Sequence, residues 1–172
     1  MSTPVIIGGF SAPDSELARK ASFLVERVHS TALLHHVHRT WWFAEFLGQQ
    51  RGLKYDREVV YLAALPHDPG LTYEFAGDQR FEVDGADAAS RFLLENGYPE
   101  SKAELAWDVI ALHSSAGIAD RKLPSLSACR LFGTRCSVTA QYQRMRTIPL
   151  SEDFLAAVHA KQVVIGMRLL HL

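Results

Sequence analysis

Cysteine is scarce in this chain. Only two of its 172 residues are cysteines, Cys129 and Cys136, and they lack the C-x-x-C spacing of zinc knuckles and redox motifs. A disulfide framework is therefore not expected to stabilise the fold, and the sequence suits a reducing compartment.

Strong net charge and long apolar runs are missing as well. The formal net charge is -1, which leaves no basic footprint for nucleic acid or an anionic membrane. No stretch approaches ~18 uninterrupted apolar residues, and the N-terminus lacks the basic start and apolar run of a signal peptide. We therefore predict a cytoplasmic protein with no nucleic-acid partner and no membrane partner.

What the chain does have is apolar residues at helical spacing. Hydrophobic residues make up 48% of it, enough for one sizeable core, so we predict a single domain over residues 1–172. No strand pattern stands out, and the predicted class is all-α with six or seven helices. In the first helix the apolar row is Leu17, Ala21, Leu24 and Val28. The predicted helices cover residues 15–28, 30–50, 56–68, 84–97, 99–113, 126–132 and 152–161, with Asp56, Asp84 and Ser151 in cap positions.

Two metal-competent side chains, His67 and Asp68, lie side by side where an apolar helix ends. His67 continues an apolar row of that helix, while Pro66, Pro69 and Gly70 prevent the helix from running far beyond Asp68. A helix C-terminus carries partial negative charge, which suits a cation held by imidazole and carboxylate. Taken alone, a His-Asp pair is weak evidence, because either residue can cap a helix or join a surface network.

Other histidines strengthen the prediction. His36 borders the apolar stripe of the preceding helix, and His113 lies at the inward end of a later one. Buried imidazoles need partners for their nitrogens, and a shared metal would supply one. Hydrogen bonds to backbone carbonyls are the alternative, and for His113 both interpretations stay open. His35 and His38 point in other directions on the helix, and His29 belongs to no motif.

Several short segments of this chain occur together in an order that is typical of a known protein family. His36 is followed by LPHDPGLT at 65–72, RFEVDGA at 80–86 and ALHSSAGIAD at 111–120. This set resembles the HD-domain metalloprotein superfamily over about residues 31–138, and within it is most similar to the cyanamide hydratase-like branch. The resemblance implies a helical HD-type fold in which a histidine, the His-Asp pair and a distal aspartate hold a divalent metal.

Carried over by position, the metal ligands are His36, His67 and Asp68. The distal aspartate of the family falls on Ser137, a poor ligand, so that a water molecule or Asp120 would have to take its place. Zn²⁺ is the expected metal, with Fe²⁺ or Mn²⁺ as alternatives.

Several residues around the predicted metal are expected to take part in the reaction. His67, Asp68 and His113 are the predicted catalytic residues. Arg39, Trp42 and Glu82 are predicted to bind substrate; by residue type alone, Arg39 could instead pair with a carboxylate and Trp42 could be core.

The predicted reaction uses a metal-activated water to hydrate the nitrile or cyanamide-type group of a small molecule. One alternative is a phosphohydrolase acting on a small phosphoester or nucleotide, which would need more cations than the motifs offer. The other is a catalytically degenerate fold that binds a small ligand or mediates assembly. The divergent tail, residues 140–172, contains an apolar segment at 163–170, which we expect to be buried in the core or in a homo-oligomer.

Overall fold

A computed structural model describes residues 6–7, 10–50, 52–115 and 118 of the chain. The described part is all-α, as predicted. Its helices are α1 (Glu16–Val28), α2 (Thr31–Gln50), α3 (Arg57–Ala64), α4 (Phe81–Glu95) and α5 (Glu100–Leu112), and two 3₁₀ turns, Leu65–His67 and Pro69–Leu71, follow α3. Two-residue strands β1 (Ile6–Ile7) and β2 (Phe10–Ser11) pair antiparallel before α1.

None of the described helices combines the length and the apolar character needed to cross a bilayer.

Local hydrogen bonds explain where most helices begin and end. The Ser15 hydroxyl accepts a hydrogen bond from the backbone N–H of Ala18 at 3.0 Å, and one Asp56 oxygen accepts from the first turn of α3. Gly97 follows α4 with φ +75°, a conformation that glycine adopts without strain. The cap at Asp56 and the stop at Gly97 were predicted from sequence and are confirmed.

The predicted cap at Asp84 was wrong. Helix α4 begins at Phe81 and its N-cap residue is Arg80, so Asp84 lies inside the first turn. One Asp84 oxygen accepts a hydrogen bond from the backbone N–H of Gly77 at 2.8 Å. Because a carboxylate is favourable at any position in the first turn of a helix, an aspartate does not by itself identify the cap residue. The predicted start at Asp84 was therefore too late in the chain.

Helix α3 also ends earlier than predicted. Regular α-helix stops at Ala64, and Leu65–His67 is a 3₁₀ turn in which Pro66 has non-helical angles, φ -92° and ψ 42°. Proline lacks the backbone N–H that would continue the α-helical hydrogen-bond ladder. The His-Asp pair consequently lies just beyond the helix, in a tight turn.

The segment from α3 to the second turn forms the centre of the molecule. Every residue from 61 to 70 is buried, because α3 packs against α1, α2 and α5 while the turns pack against α4. Tyr61 packs edge-on against Trp41 at 5.2 Å between ring centroids, and its hydroxyl is 2.8 Å from the Ser22 hydroxyl. A helix that is surrounded on all sides has apolar residues on every face, and its sequence therefore shows a continuous apolar run instead of one apolar stripe.

Two glycines allow α4 to lie directly on the His-Asp turn. A Cβ at Gly70 would come within 2.1 Å of the backbone oxygen of Phe81, and one at Gly85 within 3.2 Å of the backbone oxygen of His67. Such distances leave no room for a side chain at Gly70. The close backbone contact thus fixes the turn against the start of α4.

Several predictions concern residues outside the described part. They are the missing ligand at Ser137, the substitute Asp120, the two cysteines, the helices at 126–132 and 152–161, and the apolar tail segment.

Candidate metal centre

Three buried donor atoms from two parts of the chain converge at one point. Nε2 of His36, on α2, lies 3.1 Å from Nε2 of His67 and 3.3 Å from Oδ2 of Asp68, and the His67 and Asp68 atoms are 3.2 Å apart. The three residues are 2–4% exposed. This is the one group of potential metal ligands found among the described residues.

The separations match what one metal ion requires. Ligands at the ~2.0–2.2 Å typical of Zn²⁺–nitrogen and Zn²⁺–oxygen bonds, arranged tetrahedrally, lie roughly 3.3 Å from one another. The observed separations of 3.1, 3.2 and 3.3 Å are close to this value. The residues predicted as ligands can therefore hold a metal ion together.

The orientation of His67 is set by the end of helix α3. Its Nδ1 lies 2.6 Å from the backbone oxygen of Ala64, and since a carbonyl only accepts, Nδ1 carries the proton and donates. In the neutral ring, Nε2 then presents a lone pair to the other donor atoms. A backbone partner of this kind commonly fixes a metal-binding histidine.

Burial and mutual charge shape the acid–base properties of the three residues. Burial opposes ionisation of Asp68, but the neighbouring His67 and His36 outweigh it and hold the carboxyl pKa well below its usual range. Burial likewise opposes protonation of His67, yet the Asp68 charge raises the His67 pKa. The pKa of His36 is lowered, chiefly by burial. The site is thus built around a persistent carboxylate, the hard anionic ligand a divalent cation needs.

His113, the C-cap residue of α5, faces the same carboxylate. It is 3% exposed, its Nε2 lies 3.5 Å from Oδ1 of Asp68, and its Nδ1 donates to the backbone oxygen of Ile110 at 2.6 Å. Burial lowers its pKa. The predicted inward placement of His113 is confirmed. Its Nδ1 has the backbone-carbonyl partner of the structural alternative, and His113 is not one of the residues whose donor atoms converge.

Glu82 belongs to a polar network beside His113. Its carboxylate is buried and accepts hydrogen bonds from the Ser114 hydroxyl and, at 2.9 Å, from Nη2 of Arg80. The negative charge of Glu82 also acts to raise the pKa of His113. The network therefore links the start of α4 to the residue that follows His113.

The other two predicted substrate-binding residues lie on α2 in different directions. Arg39 is one turn beyond His36 and half-buried; its Nε is buried with no hydrogen-bond partner among the described residues, and burial lowers its pKa. Trp42 projects about 120° away from His36 around the helix. Its ring stacks on Phe46 at 5.4 Å and meets Phe10 edge-on at 6.4 Å, so it packs toward the N-terminal strands.

His29 is a residue whose place the sequence reasoning missed. It is the C-cap of α1, is 8% exposed, and is close enough to the centre for the charges of Asp68, His67 and His36 to affect its pKa. The buried row of α1 is Ala18, Ala21 and Val25, not the predicted row through Leu24 and Val28. His29 continues that row four residues after Val25, which is the signal that would have found it.

A surface cavity of about 440 Å³ lies away from this centre. It is lined mainly by residues of α1 together with Phe92 of α4, and Phe23 at its edge is 68% exposed. None of the three candidate ligands lines it.

No protein-family model and no curated protein matches this chain.

Proposed function

We propose that this protein is an HD-type metal-dependent hydratase, which adds water to the nitrile or cyanamide-type group of a small molecule. The observation that carries the proposal is the convergence of His36, His67 and Asp68, whose donor atoms lie 3.1–3.3 Å apart in a buried position. Two imidazoles and a carboxylate suit Zn²⁺, with Fe²⁺ or Mn²⁺ as alternatives. A bound divalent cation supplies Lewis-acid chemistry that makes a water molecule acidic enough to react near neutral pH.

His113 is the residue best placed to handle a proton. Its Nδ1–H is committed to Ile110, so the neutral ring carries its lone pair at Nε2, on the side of the Asp68 carboxylate. Because burial lowers its pKa, the ring is neutral at pH 7 and can accept a proton. In this role His113 takes a proton at Nε2 during hydration and returns it to the product.

The charges around the centre favour a small uncharged substrate over a phosphoester. Phosphate recognition normally uses several cationic donors. Arg80 is the cation beside Glu82, and its guanidinium already donates to Glu82 and Ser114. Its side chain is also 59% exposed, so it points largely to solvent. The three donor residues are nearly inaccessible, which also suits a substrate of few atoms.

One observation supports a second candidate, a phosphohydrolase acting on a small phosphoester. Arg39 lies one turn from His36 with Nε buried and unpartnered among the described residues. A half-buried guanidinium without a carboxylate partner can bind one anionic group of a substrate. We rank this candidate second because a single arginine is a weak phosphate site.

The proposal is tested by metal analysis and by turnover of two substrates. We expect about one divalent metal per chain, as such a ligand set holds a single ion. His67→Ala should abolish metal binding, whereas His35→Ala, which alters an exposed histidine of α2, should leave it intact. The Zn²⁺-loaded protein should convert cyanamide to urea and leave p-nitrophenyl phosphate untouched.

The remaining outcomes separate the alternatives. Hydrolysis of the phosphoester without hydration of cyanamide would establish the second candidate. A folded protein that contains no metal and refuses added Zn²⁺, Mn²⁺ and Fe²⁺ would overturn the metal centre, and would favour a degenerate fold that binds a small ligand or mediates assembly.

A further inference from the structure

Three side chains meet in one hydrogen-bonded group just beyond the end of helix α5. Oε1 of Glu82 accepts a hydrogen bond from the Ser114 hydroxyl and another, at 2.9 Å, from Nη2 of Arg80. The same Nη2 also donates to the Ser114 hydroxyl oxygen at 3.3 Å. Each of the three side chains therefore bonds both of the others, and removing any one of them breaks two contacts.

Glu82 is the fixed member of this group. It lies in the first turn of α4 and its side chain is 4% exposed, whereas that of Arg80 is 59% exposed. The start of α4 is itself held, because Gly70 lies against the backbone of Phe81 too closely for a side chain. Ser114 lies two residues beyond the last residue of α5. The group therefore ties the chain that leaves α5 to the start of α4.

His113 is the residue directly before Ser114, and it faces the candidate metal ligands. Its Nε2 lies 3.5 Å from Oδ1 of Asp68, and its Nδ1 donates to the backbone oxygen of Ile110 at 2.6 Å. Phe81, at the start of α4, meets the His113 ring edge-on at 5.8 Å between ring centroids. His113 is the C-cap of α5, so it has fewer helical hydrogen bonds to hold it than a residue inside the helix.

We propose that Glu82 is a positioning residue, which acts through Ser114 to hold His113 where its Nε2 faces the metal centre. The inference rests on the proposed function, in which His113 moves a proton at Nε2. It gives Glu82 a role other than the predicted one of binding substrate, since Oε1 already accepts from two donors. Proton transfer requires hydrogen-bond distance between donor and acceptor, so a small displacement of the ring lowers turnover without weakening substrate binding.

Variants of Ser114 test this role with the least disturbance of the core. Ser114→Ala removes the hydroxyl that links Glu82 to the chain after His113, whereas Ser114→Thr keeps a hydroxyl at the same position. Ser22→Ala is the matched control. The Ser22 hydroxyl is also paired with a buried side chain, the Tyr61 hydroxyl at 2.8 Å, but between α1 and α3.

Cyanamide hydration by the Zn²⁺-loaded proteins gives the first readout. We expect Ser114→Ala to lower kcat roughly tenfold, because a misplaced ring still transfers protons but less often. KM and Zn²⁺ content should stay at their native values. Ser114→Thr should recover most of the lost kcat, and Ser22→Ala should match the native protein.

Nuclear magnetic resonance of the metal-free proteins gives a second readout that needs no activity. The Nδ1 proton of His113 is held by the Ile110 carbonyl, so its signal should exchange slowly with water in the native protein. In Ser114→Ala the ring is less restrained, and this exchange should become at least about tenfold faster. Ser114→Thr and Ser22→Ala should keep the slow exchange.

Several results would overturn the inference. Native kcat and native exchange of the His113 proton in folded Ser114→Ala would leave the group without a positioning role. A raised KM with unchanged kcat would mean that the group binds substrate directly, and loss of Zn²⁺ would mean that it supports the metal ligands instead. A defect in Ser114→Thr as large as that in Ser114→Ala would show that the hydroxyl is not the link.

Failure of the proposed function gives a different result. A native protein that takes up no metal or hydrates no cyanamide would reject the hydratase, and the exchange of the His113 proton would then decide alone. Faster exchange in Ser114→Ala but not in Ser22→Ala would uphold the positioning of His113 by Glu82, and equal exchange in the two variants would reject it as well.

Discussion

Nε2 of His36 lies 3.1 Å from Nε2 of His67, although 31 residues separate the two in the chain. Their ring centroids are 5.1 Å apart, and the rings are tilted by 50°. Nδ1 of His67 donates a hydrogen bond to the Ala64 carbonyl. In the neutral ring, Nε2 therefore faces His36 with a lone pair. Packing of α2 against α3 and its following turn creates this contact, and the candidate metal centre depends on that packing.

Acid should destabilise the metal-free protein through His29. Its pKa is about 4 in the folded state and near 6.5 when unfolded, so the unfolded chain binds the extra proton first as the pH falls. The stability contributed by neutral His29 is present above about pH 6.5 and is lost toward pH 4, by at most about 3 kcal/mol. Denaturant unfolding at pH 7 and pH 5 in the presence of a chelator measures the loss.

Asp68 and His67 also change the stability of the fold as the pH falls, in opposite directions. The lowered pKa of Asp68 adds a loss at lower pH, whereas the raised pKa of His67 favours the folded state on acidification. The comparison with His29→Phe isolates the His29 part, because that variant keeps the other two groups. A pH dependence identical in the variant and the native protein would contradict this prediction.

Gly70→Ala should destabilise the fold and weaken metal binding. The new Cβ would lie 2.1 Å from the backbone oxygen of Phe81, which forces the His-Asp turn away from α4 at a cost of about 3 kcal/mol. Gly97→Ala is the matched control, since its Cβ meets no atom within 4 Å and only its φ of +75° is strained, costing about 1 kcal/mol. Thermal unfolding and Zn²⁺ titration of both variants check this. Equal effects on metal affinity would show that the turn is not held by the close backbone contact.

His113→Ala should lower turnover roughly a hundredfold while the metal is retained, if His113 carries a proton in the reaction. The metal should stay because its three predicted ligands are other residues. Metal content and the pH profile of turnover are the measurements, with His38→Ala, a half-buried histidine of α2, as the control. Native kinetics in folded His113→Ala would leave it a purely structural role through Ile110 and Asp68.

Much of this architecture is determined locally and could be predicted from sequence. Ser15 and Asp56 begin their helices because their side-chain oxygens pair with backbone N–H groups two or three residues ahead. Gly97 ends α4 because glycine tolerates positive φ. The adjacency of His67 and Asp68 at the end of an apolar segment is likewise a property of the chain itself.

Only the tertiary structure decided what depends on contacts between distant segments. The Asp84 carboxylate accepts from the backbone N–H of Gly77 and does not cap α4. His29, which belongs to no motif, ends a helix that packs against the turn containing His67. Hydrogen-bonding partners and burial are set by packing between helices, which the spacing of residues along one helix does not specify. The sequence by itself therefore determined the helices and the adjacent His67-Asp68 pair, while the convergence of His36 with that pair, and the burial of the His29 imidazole, were decided by how the helices pack.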